Sequence, residues 1–359
     1  MGQFLAEAAL WIPASILAAA ALAIAFAGVR LSGVANMLAD RTGMGEIMAG
    51  ALFVGAATSL PDLVTSASAA LQDRPNLAIG NALGGLTVQT AFLAIADLVY
   101  RKANIEHAAA SVAGLAQAAL LVALLAMPLL AANAPEVAIL GVHPASVVLP
   151  IAYGCGLWLL HGIHERPMWS PVMTKATQAD EVDGEDAEQG APEAEDPATR
   201  AYRDTSTRRL WLMFGVYGLM LGASGYAVAE SGIALVEATG LSETAVGTVF
   251  TAIATSLGEL VTAIAAVRAG AVSLAVGNVI GGNCYDVLLL AVSDVFYRGG
   301  SLYHRFTTDD FFTAAMALLM TAVLLLGLLY RERRGVGAMG SESALVLVLY
   351  AVSVAMVFF

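Results

Sequence analysis

Sixty residues of this chain occur twice. Thr42–Arg101 aligns without a gap on Thr239–Arg298, and 24 of the 60 paired residues are identical. Thr58-Ser59-Leu60-Pro61-Asp62-Leu63-Val64-Thr65 returns as Thr255-Ser256-Leu257-Gly258-Glu259-Leu260-Val261-Thr262. Gly80-Asn81-Ala82-Leu83-Gly84-Gly85 returns as Gly277-Asn278-Val279-Ile280-Gly281-Gly282. The duplication restricts the fold to two equivalent halves. Each copy sets a carboxylate inside an apolar background, with glycine-interrupted segments at matching positions. That pattern points to a transporter with its binding site near the bilayer midplane.

The background is of membrane grade. The chain is 58% hydrophobic and 13% charged, with mean hydropathy +0.76, whereas soluble domains are about half apolar and a quarter charged. Apolar runs able to cross roughly 30 Å of hydrocarbon recur near residues 8–30, 44–71, 77–100, 108–131, 136–162, 209–236, 244–267, 273–297, 309–330 and 341–358. The first lacks a basic stretch before its apolar core, so it reads as a retained helix and not a cleaved leader. The expected fold is an all-α polytopic membrane protein: ten transmembrane helices as two inverted five-helix repeats. An odd number of spans per half inserts the second half upside down. The expected divisions are 1–164 for the first repeat, 165–207 for an acidic linker and 208–359 for the second repeat.

Charge sets the orientation. Ten spans put both termini on one side, and that side holds three basic residues, Arg74, Arg298 and Arg305. The opposite side holds the rest, including Arg101, Lys102, Arg208, Arg209, Arg268, Arg331, Arg333 and Arg334. The positive-inside rule makes that side cytoplasmic. A multi-pass cell-membrane protein is expected, with both termini outside and the central loop cytoplasmic. The net charge of −12 is mostly local, since Asp180–Asp196 contains nine acidic residues and no basic one. This linker reads as a solvated tether. It does not complete an EF-hand: with Gly184 at the turn, Ala179 and Gly190 fill the first and last ligand slots.

Oxygen chemistry dominates the repeats. The two cysteines, Cys155 and Cys284, lie in apolar segments, so no disulfide framework is expected. No Cys/His spacing suits zinc. Thr58, Ser59, Asp62 and Thr65 share one helix face at spacings of three and four, as do Thr255, Ser256, Glu259 and Thr262. Gln89 is the repeat partner of Asp286. Asp62, Glu259 and Asp286 would each cost on the order of 3 kcal/mol or more as bare ions in hydrocarbon. With no Lys or Arg beside them, a metal cation or protons must compensate. Hard oxygen donors of this kind favour Ca²⁺ and Na⁺. Thr65 and Thr262 are expected to bond their own preceding carbonyls, and Asn81 and Asn278 to brace their helices. Asp97 and Asp294, each four residues before Arg101 or Arg298, suit structural ion pairs at helix ends. Glu230, whose repeat position is Gly33, is expected at the outer surface.

These stretches resemble the repeats of the calcium/cation antiporter superfamily, most closely its sodium/calcium exchangers. That motif runs Gly-Thr-Ser-Leu-Pro-Glu, then Gly-Asn-x-x-Gly-Ser-Asn-x-x-Asn or Asp. Here it reads Ala57 to Asp62 with Gly80 to Gln89, and Ala254 to Glu259 with Gly277 to Asp286. The resemblance implies an antiporter, not an enzyme, that exchanges Ca²⁺ for Na⁺ by alternating access without a cofactor; H⁺-coupled exchange, favoured by the hydroxyls missing at Gly85 and Gly282, is the runner-up. It implies that Asp62 and Glu259 bind Ca²⁺, and that Thr58 and Thr255 bind through backbone or hydroxyl. It further implies that Ser59 and Ser256 serve Na⁺ and that Gln89 and Asp286 complete the middle. The first and sixth spans would slide to switch access. Its partners would be ions and the lipid bilayer, not nucleic acid, and a monomer would suffice. Four departures stand out: Asp62 is shorter than glutamate, Gly85 and Gly282 replace serines, Leu86 replaces an asparagine, and Gly258 replaces a proline. Export of another divalent cation and a passive channel are the rival functions. An intramembrane aspartic protease lacks its second signature.

Overall fold

The computed structural model describes residues 5, 9–42, 55–100, 103–109, 111–139, 141–165, 172, 174, 177, 199, 201–332, 335 and 339–359. The acidic run 180–196, Arg101, Lys102, Arg333 and Arg334 lie outside the described residues. The first half comprises α1 (Trp11–Thr42), α2 (Gly55–Thr58), α3 (Leu60–Leu71), α4 (Pro75–Val99), α5 (Ile105–Ala108), α6 (Val112–Ala132) and α7 (Ala145–Glu165). The second half opens with α8 (Thr207–Thr239), α9 (Glu243–Ala245), a π-helical turn (Val246–Thr251) and α10 (Ala252–Ala269). It continues through α11 (Val272–Asp286), α12 (Leu288–Phe296), a 3-10 turn (Leu302–Arg305), α13 (Thr308–Tyr330) and α14 (Ser341–Val357).

Local chemistry sets these boundaries. Pro75 occupies the first turn of α4, where its missing N–H is harmless. Gly240 and Gly270 end α8 and α10 at φ +70° and +92°, a conformation that glycine reaches without a Cβ penalty. Thr307 and Asp310 form a capping box that starts α13. Eight helices among the described residues are long and apolar enough to cross a membrane, and α14 is a shorter apolar helix. The remaining expected span, 44–71, is described from Gly55 onward as α2 and α3. Trp11, Leu22, Leu130, Trp158, Leu219 and Leu326 are exposed around the perimeter, which suits lipid and not water. The chain is a multi-pass membrane protein.

Two boundaries differ from the sequence expectation. α1 continues to Thr42, well past residue 30. The fifth span begins at Ala145, not 136, because residues 135–139 and 141–144 are non-helical and carry an Ile139–Val142 bridge. The Gly-Asn-x-x-Gly-Gly stretches do not begin helices. They lie inside α4 and α11, since Pro75 and Val272 start those helices one turn or more earlier.

The two halves are structurally equivalent, and the equivalence reaches beyond the duplicated sixty residues. At the repeat offset of 197, found directly in the Gln89–Asp286 pair, matching contacts recur. Gly28 of α1 meets Gly258 of α10, and Gly225 of α8 meets Pro61 of α3. The Ile105 and Gly340 amides donate to Asp97 at 2.8 and 2.7 Å. The Leu302 and His143 amides donate to Asp294 at 2.7 and 2.8 Å. His107 bonds the Arg331 carbonyl, and His304 the Ala134 carbonyl. In the glycine, Asp97/Asp294 and His107/His304 sets, contacts between the halves recur with the halves exchanged, which is a local two-fold relation.

Those bonds replace the expected Asp294–Arg298 ion pair; the expected partner of Asp97, Arg101, lies outside the described residues. Asp97 and Asp294 are fully buried and accept backbone amides. Among the described residues the ion pairs are those of Arg74 with Glu237 and Glu243. A carboxylate at that depth is compensated better by fixed N–H donors than by a solvated guanidinium. Glu230 is likewise buried, and accepts from Gln72 at 2.8 Å.

The same symmetry exposes one mismatch. Ser343 donates to Glu106 Oε1 at 2.8 Å, while in the other half Ser146 pairs with the Tyr303 hydroxyl at 3.1 Å. Glu106 Oε2 has no donor. Burial, then the charge of Asp97, pushes the Glu106 carboxyl up to about 7. A raised carboxylate pKa means that its contribution is complete at low pH and is lost as pH rises through about 7. Glu106→Gln, neutral like Tyr303, is therefore expected to stabilise the protein by about 2–3 kcal/mol at pH 8 and hardly at all at pH 5. Thermal melts of the two proteins in detergent across that range check this; equal differences at both pH values would refute it.

Candidate ion site

Of the eight candidate ligands, Thr58, Ser59 and Asp62 lie on or between α2 and α3, Gln89 on α4, Thr255, Ser256 and Glu259 on α10, and Asp286 at the end of α11. The second span is interrupted at Ser59, between α2 and α3. Pro61 lies in the first turn of α3 and offers no N–H to the Ala57 carbonyl. Asp62 follows it and is 1% exposed. The seventh span carries its irregularity one turn before the site, as the π-helical turn Val246–Thr251. α10 then runs unbroken through Thr255, Ser256, Gly258 and Glu259. Asp286 is the last residue of α11.

Glycines bring these helices together. A Cβ on Gly84 would lie 2.5 Å from Thr248 Cα, and one on Gly80 would lie 2.9 Å from the Thr244 carbonyl oxygen. α4 thus rests directly on the backbone of the π-helical turn. Asn81 braces the junction as expected: it donates to Ser66 Oγ at 3.0 Å and accepts from Thr251 Oγ1 at 2.7 Å. Sequence reading missed Ser66 and Thr251, because each faces a different residue type in the other repeat.

The polar side chains form one linked set. Thr255 Oγ1 donates to Asp62 Oδ1 at 2.5 Å. Gln89 Nε2 donates to Asp286 Oδ2 at 2.6 Å, with Ser256 Oγ at 3.5 Å. Gln89 and Asp286 are repeat mates, so their bond sits across the two-fold. The Ser59 hydroxyl faces Asp286 without completing a hydrogen bond. A Cβ at Gly85 would lie 3.7–4.0 Å from Asp62 Oδ1, Gln89 Nε2 and Ser256 Oγ, and one at Gly282 would lie 3.7 Å from Gln89 Oε1. Both replaced serine positions therefore face the centre with room for a hydroxyl.

Five oxygens of this set are buried without a hydrogen-bond partner: Ser59 Oγ, Asp62 Oδ2, Gln89 Oε1, Glu259 Oε2 and Asp286 Oδ1. Buried polar atoms are normally satisfied, and each exception needs a reason. No Lys or Arg occurs between Gly55 and Leu71, in α4, or in α11. Among the described residues no three His, Cys, Asp or Glu side chains converge on one ion position. The convergent oxygens are a mixed set of carboxylate, amide and hydroxyl.

Among the described residues the two halves differ in access to the set. A cavity of about 40 Å³ is lined by Ser32, Thr58, Glu259, Thr262, Asn278 and Gly282, among others. That volume admits about one water or bare ion. Glu259 is half-buried and Asn278 exposed. The symmetry-related positions Ala229, Thr255, Asp62, Thr65 and Asn81 are each at most 1% exposed. Thr262 bonds the carbonyls of its own turn as expected. Thr65 does not: it donates to the Gly225 carbonyl of α8 at 2.9 Å. The α8 backbone lies close enough there to compete. Ser32 was not foreseen, since a lone serine in a long apolar helix gives no signal.

A family model described as sodium/calcium exchanger protein matches residues 12–160 and 209–359. The chain belongs to this exchanger family. Both matched stretches are the two halves seen here, which divide at the region between α7 and α8. No curated protein matches the sequence. Among solved structures, the exchanger-family chain is similar to the sodium-calcium exchanger NCX_Mj, with TM-score 0.59 and 19% identity over 97% of this chain and 99% of that one. It is also similar to the H⁺/Ca²⁺ exchanger CAX, with TM-score 0.67 and 13% identity over 96% and 85%. At these identities the likeness is one of fold. Family and fold together mark an exchanger rather than an enzyme.

Proposed function

We propose that this protein is a secondary active antiporter that exchanges Ca²⁺ for Na⁺ across the cell membrane by alternating access. The observation that carries the reading is the group of five orphaned oxygens, three of them carboxylate, on segments 55–71, α4 and α11, which hold no Lys or Arg, and on α10. Mobile cations satisfy such a group, and hard oxygen donors suit Ca²⁺ and Na⁺. The eight proposed ion-binding residues are Asp62, Glu259, Asp286, Gln89, Thr58, Ser59, Thr255 and Ser256. A site open through one cavity, with its symmetry mate shut, supports alternation between two states of which this is one. Both termini would lie outside, the 165–207 linker would be cytoplasmic, and a monomer would suffice. The decisive experiment is Ca²⁺ uptake into vesicles driven separately by Na⁺, K⁺ and H⁺ gradients. Uptake driven by none of them would end the antiport reading.

The open space at Gly85 and Gly282 favours a second reading, H⁺-coupled exchange. Protons need carboxylates but no multi-oxygen Na⁺ cage. The double variant Gly85→Ser with Gly282→Ser restores two hydroxyls where the contact distances leave room. Under Na⁺ coupling it is expected to raise the Hill coefficient for Na⁺. If no Na⁺ dependence exists before or after the change, the H⁺ reading takes over.

Deleting Asp180–Asp196 is expected to leave transport within about twofold of the intact protein, because the segment holds few apolar residues to bury. Loss of transport at normal expression would show that the linker regulates.

A further inference from the structure

The two-fold relation makes the chain its own control, and the two helix crossings beside the site are unequal. At the α1–α10 crossing, a Cβ on Gly28 would lie 3.3 Å from Gly258 Cα. At the equivalent α8–α3 crossing, a Cβ on Gly225 would lie 2.5 Å from the Pro61 carbonyl oxygen. Among the described residues, the tighter crossing carries two side-chain hydrogen bonds that the looser one lacks. Thr65 Oγ1 donates to the Gly225 carbonyl at 2.9 Å, whereas its mate Thr262 bonds only its own turn. Gln72 Nε2 donates to Glu230 Oε1 at 2.8 Å, whereas the matching positions are Ala269 and Gly33 and cannot form such a bond. The cavity reaching Glu259 opens beside the looser crossing, next to Ser32. Its mate, beside the tighter crossing at Ala229, is closed.

We propose that Thr65, Gln72 and Glu230 form a latch that clamps α8 onto α3 and holds shut the Asp62 side of the site. This rests on the alternating-access reading of the same site and adds which state the chain prefers and which side chains set that preference. A bond present in one state and absent from its mirror state biases the equilibrium by its own differential strength. Two net hydrogen bonds correspond to a shift of roughly fivefold or more in the ratio of the two states. The three residues act through helix position and need not touch the ion. Thr65 and Glu230 are buried, and Gln72 reaches them from the exposed end of α3.

The test is thiol accessibility in the full chain, with Cys155 and Cys284 replaced by serine and alanine. One reporter is Asn278→Cys, exposed on the open cavity lining, and the other is Ala229→Cys at the buried mate of that cavity. Labelling rates with a small water-soluble maleimide are compared in the latched background and in Thr65→Val with Glu230→Ala. Release of the latch is expected to slow labelling at position 278 and speed it at position 229, each several-fold. Gln72→Ala, at an exposed position, serves if the double variant folds poorly, and is expected to shift both rates in the same directions by less. Unchanged rates, or rates that rise together as in general loosening, would overturn the proposal. Ca²⁺ uptake is followed in parallel. Reciprocal labelling shifts in a protein that transports nothing would keep the latch and remove the antiport reading.

Discussion

Glu259→Gln is expected to reduce Ca²⁺ exchange to background while the protein still folds. Glu259 stands where the cavity meets the site, half-buried, with Oε2 lacking any donor. The amide keeps the side chain's shape and can still hydrogen-bond, so the helix loses little. It removes one unit of charge from a set that must offset a divalent ion in a low-dielectric interior. Loss of one partner from such a buried charge pair costs about 3 kcal/mol or more, or roughly 100-fold in affinity. Asp62→Asn is expected to act the same way, since Thr255 can still donate to the remaining oxygen. Gln89→Ala should be milder, because it withdraws a neutral group. Vesicle uptake at saturating and limiting Ca²⁺, beside size-exclusion profiles of each variant, makes the measurement. Full exchange in both Glu259→Gln and Asp62→Asn would remove these residues from the site.

Gly84→Ala is expected to have the largest effect on folding, and Gly281→Ala, its repeat twin, almost none. A Cβ at Gly84 would lie 2.5 and 2.6 Å from Thr248 Cα and O, backbone atoms that cannot rotate away, and 2.9 Å from Ala252 Cβ. α4 would have to withdraw from the π-helical turn on which it rests. Overpacking of a rigid contact costs about 3 kcal/mol at the upper end of the usual range. At Gly281 the nearest atom is the end of a flexible side chain, Gln117 Nε2 at 3.5 Å, which is ordinary contact. Melting temperatures in detergent would separate the pair. A stable Gly84→Ala protein, or equal losses in both, would show that the α4 contact has slack.

The duplicated motifs made the plan of two helical halves legible and singled out the candidate ligands, because ion ligation demands particular side chains. The eight ligand candidates were readable as residue types, and the structure brings all eight to one region. What escaped the sequence lies in relations between helices. The repeated Asp97 and Asp294 are visible as residues, but their donors lie up to 243 positions away. For Asp294, four-residue spacing to Arg298 was a nearer and misleading partner. Thr65 and Thr262 are identical in sequence, yet one bonds a neighbouring helix and the other its own turn, according to how closely a glycine lets that neighbour approach. The π-helical turn Val246–Thr251 has no mark in composition. The one-sidedness of the cavity cannot be written in a repeat at all, since it is the respect in which the two copies differ.

The paired aspartates also bear on how the chain is completed. Asp97, in the first half, holds the amide of Gly340 at the entrance to the last helix. Asp294, in the second half, holds the amide of His143 at the entrance to α7. Each half thus closes the other's final helix and leaves its own for its sibling to finish. During synthesis α7 waits for Asp294, about 150 residues later, before its first turn is secured. The protein is therefore assembled like an exchanged dimer whose two members share one backbone. Cut in the linker and expressed as two pieces, the halves would be poor folders alone and obligate partners together.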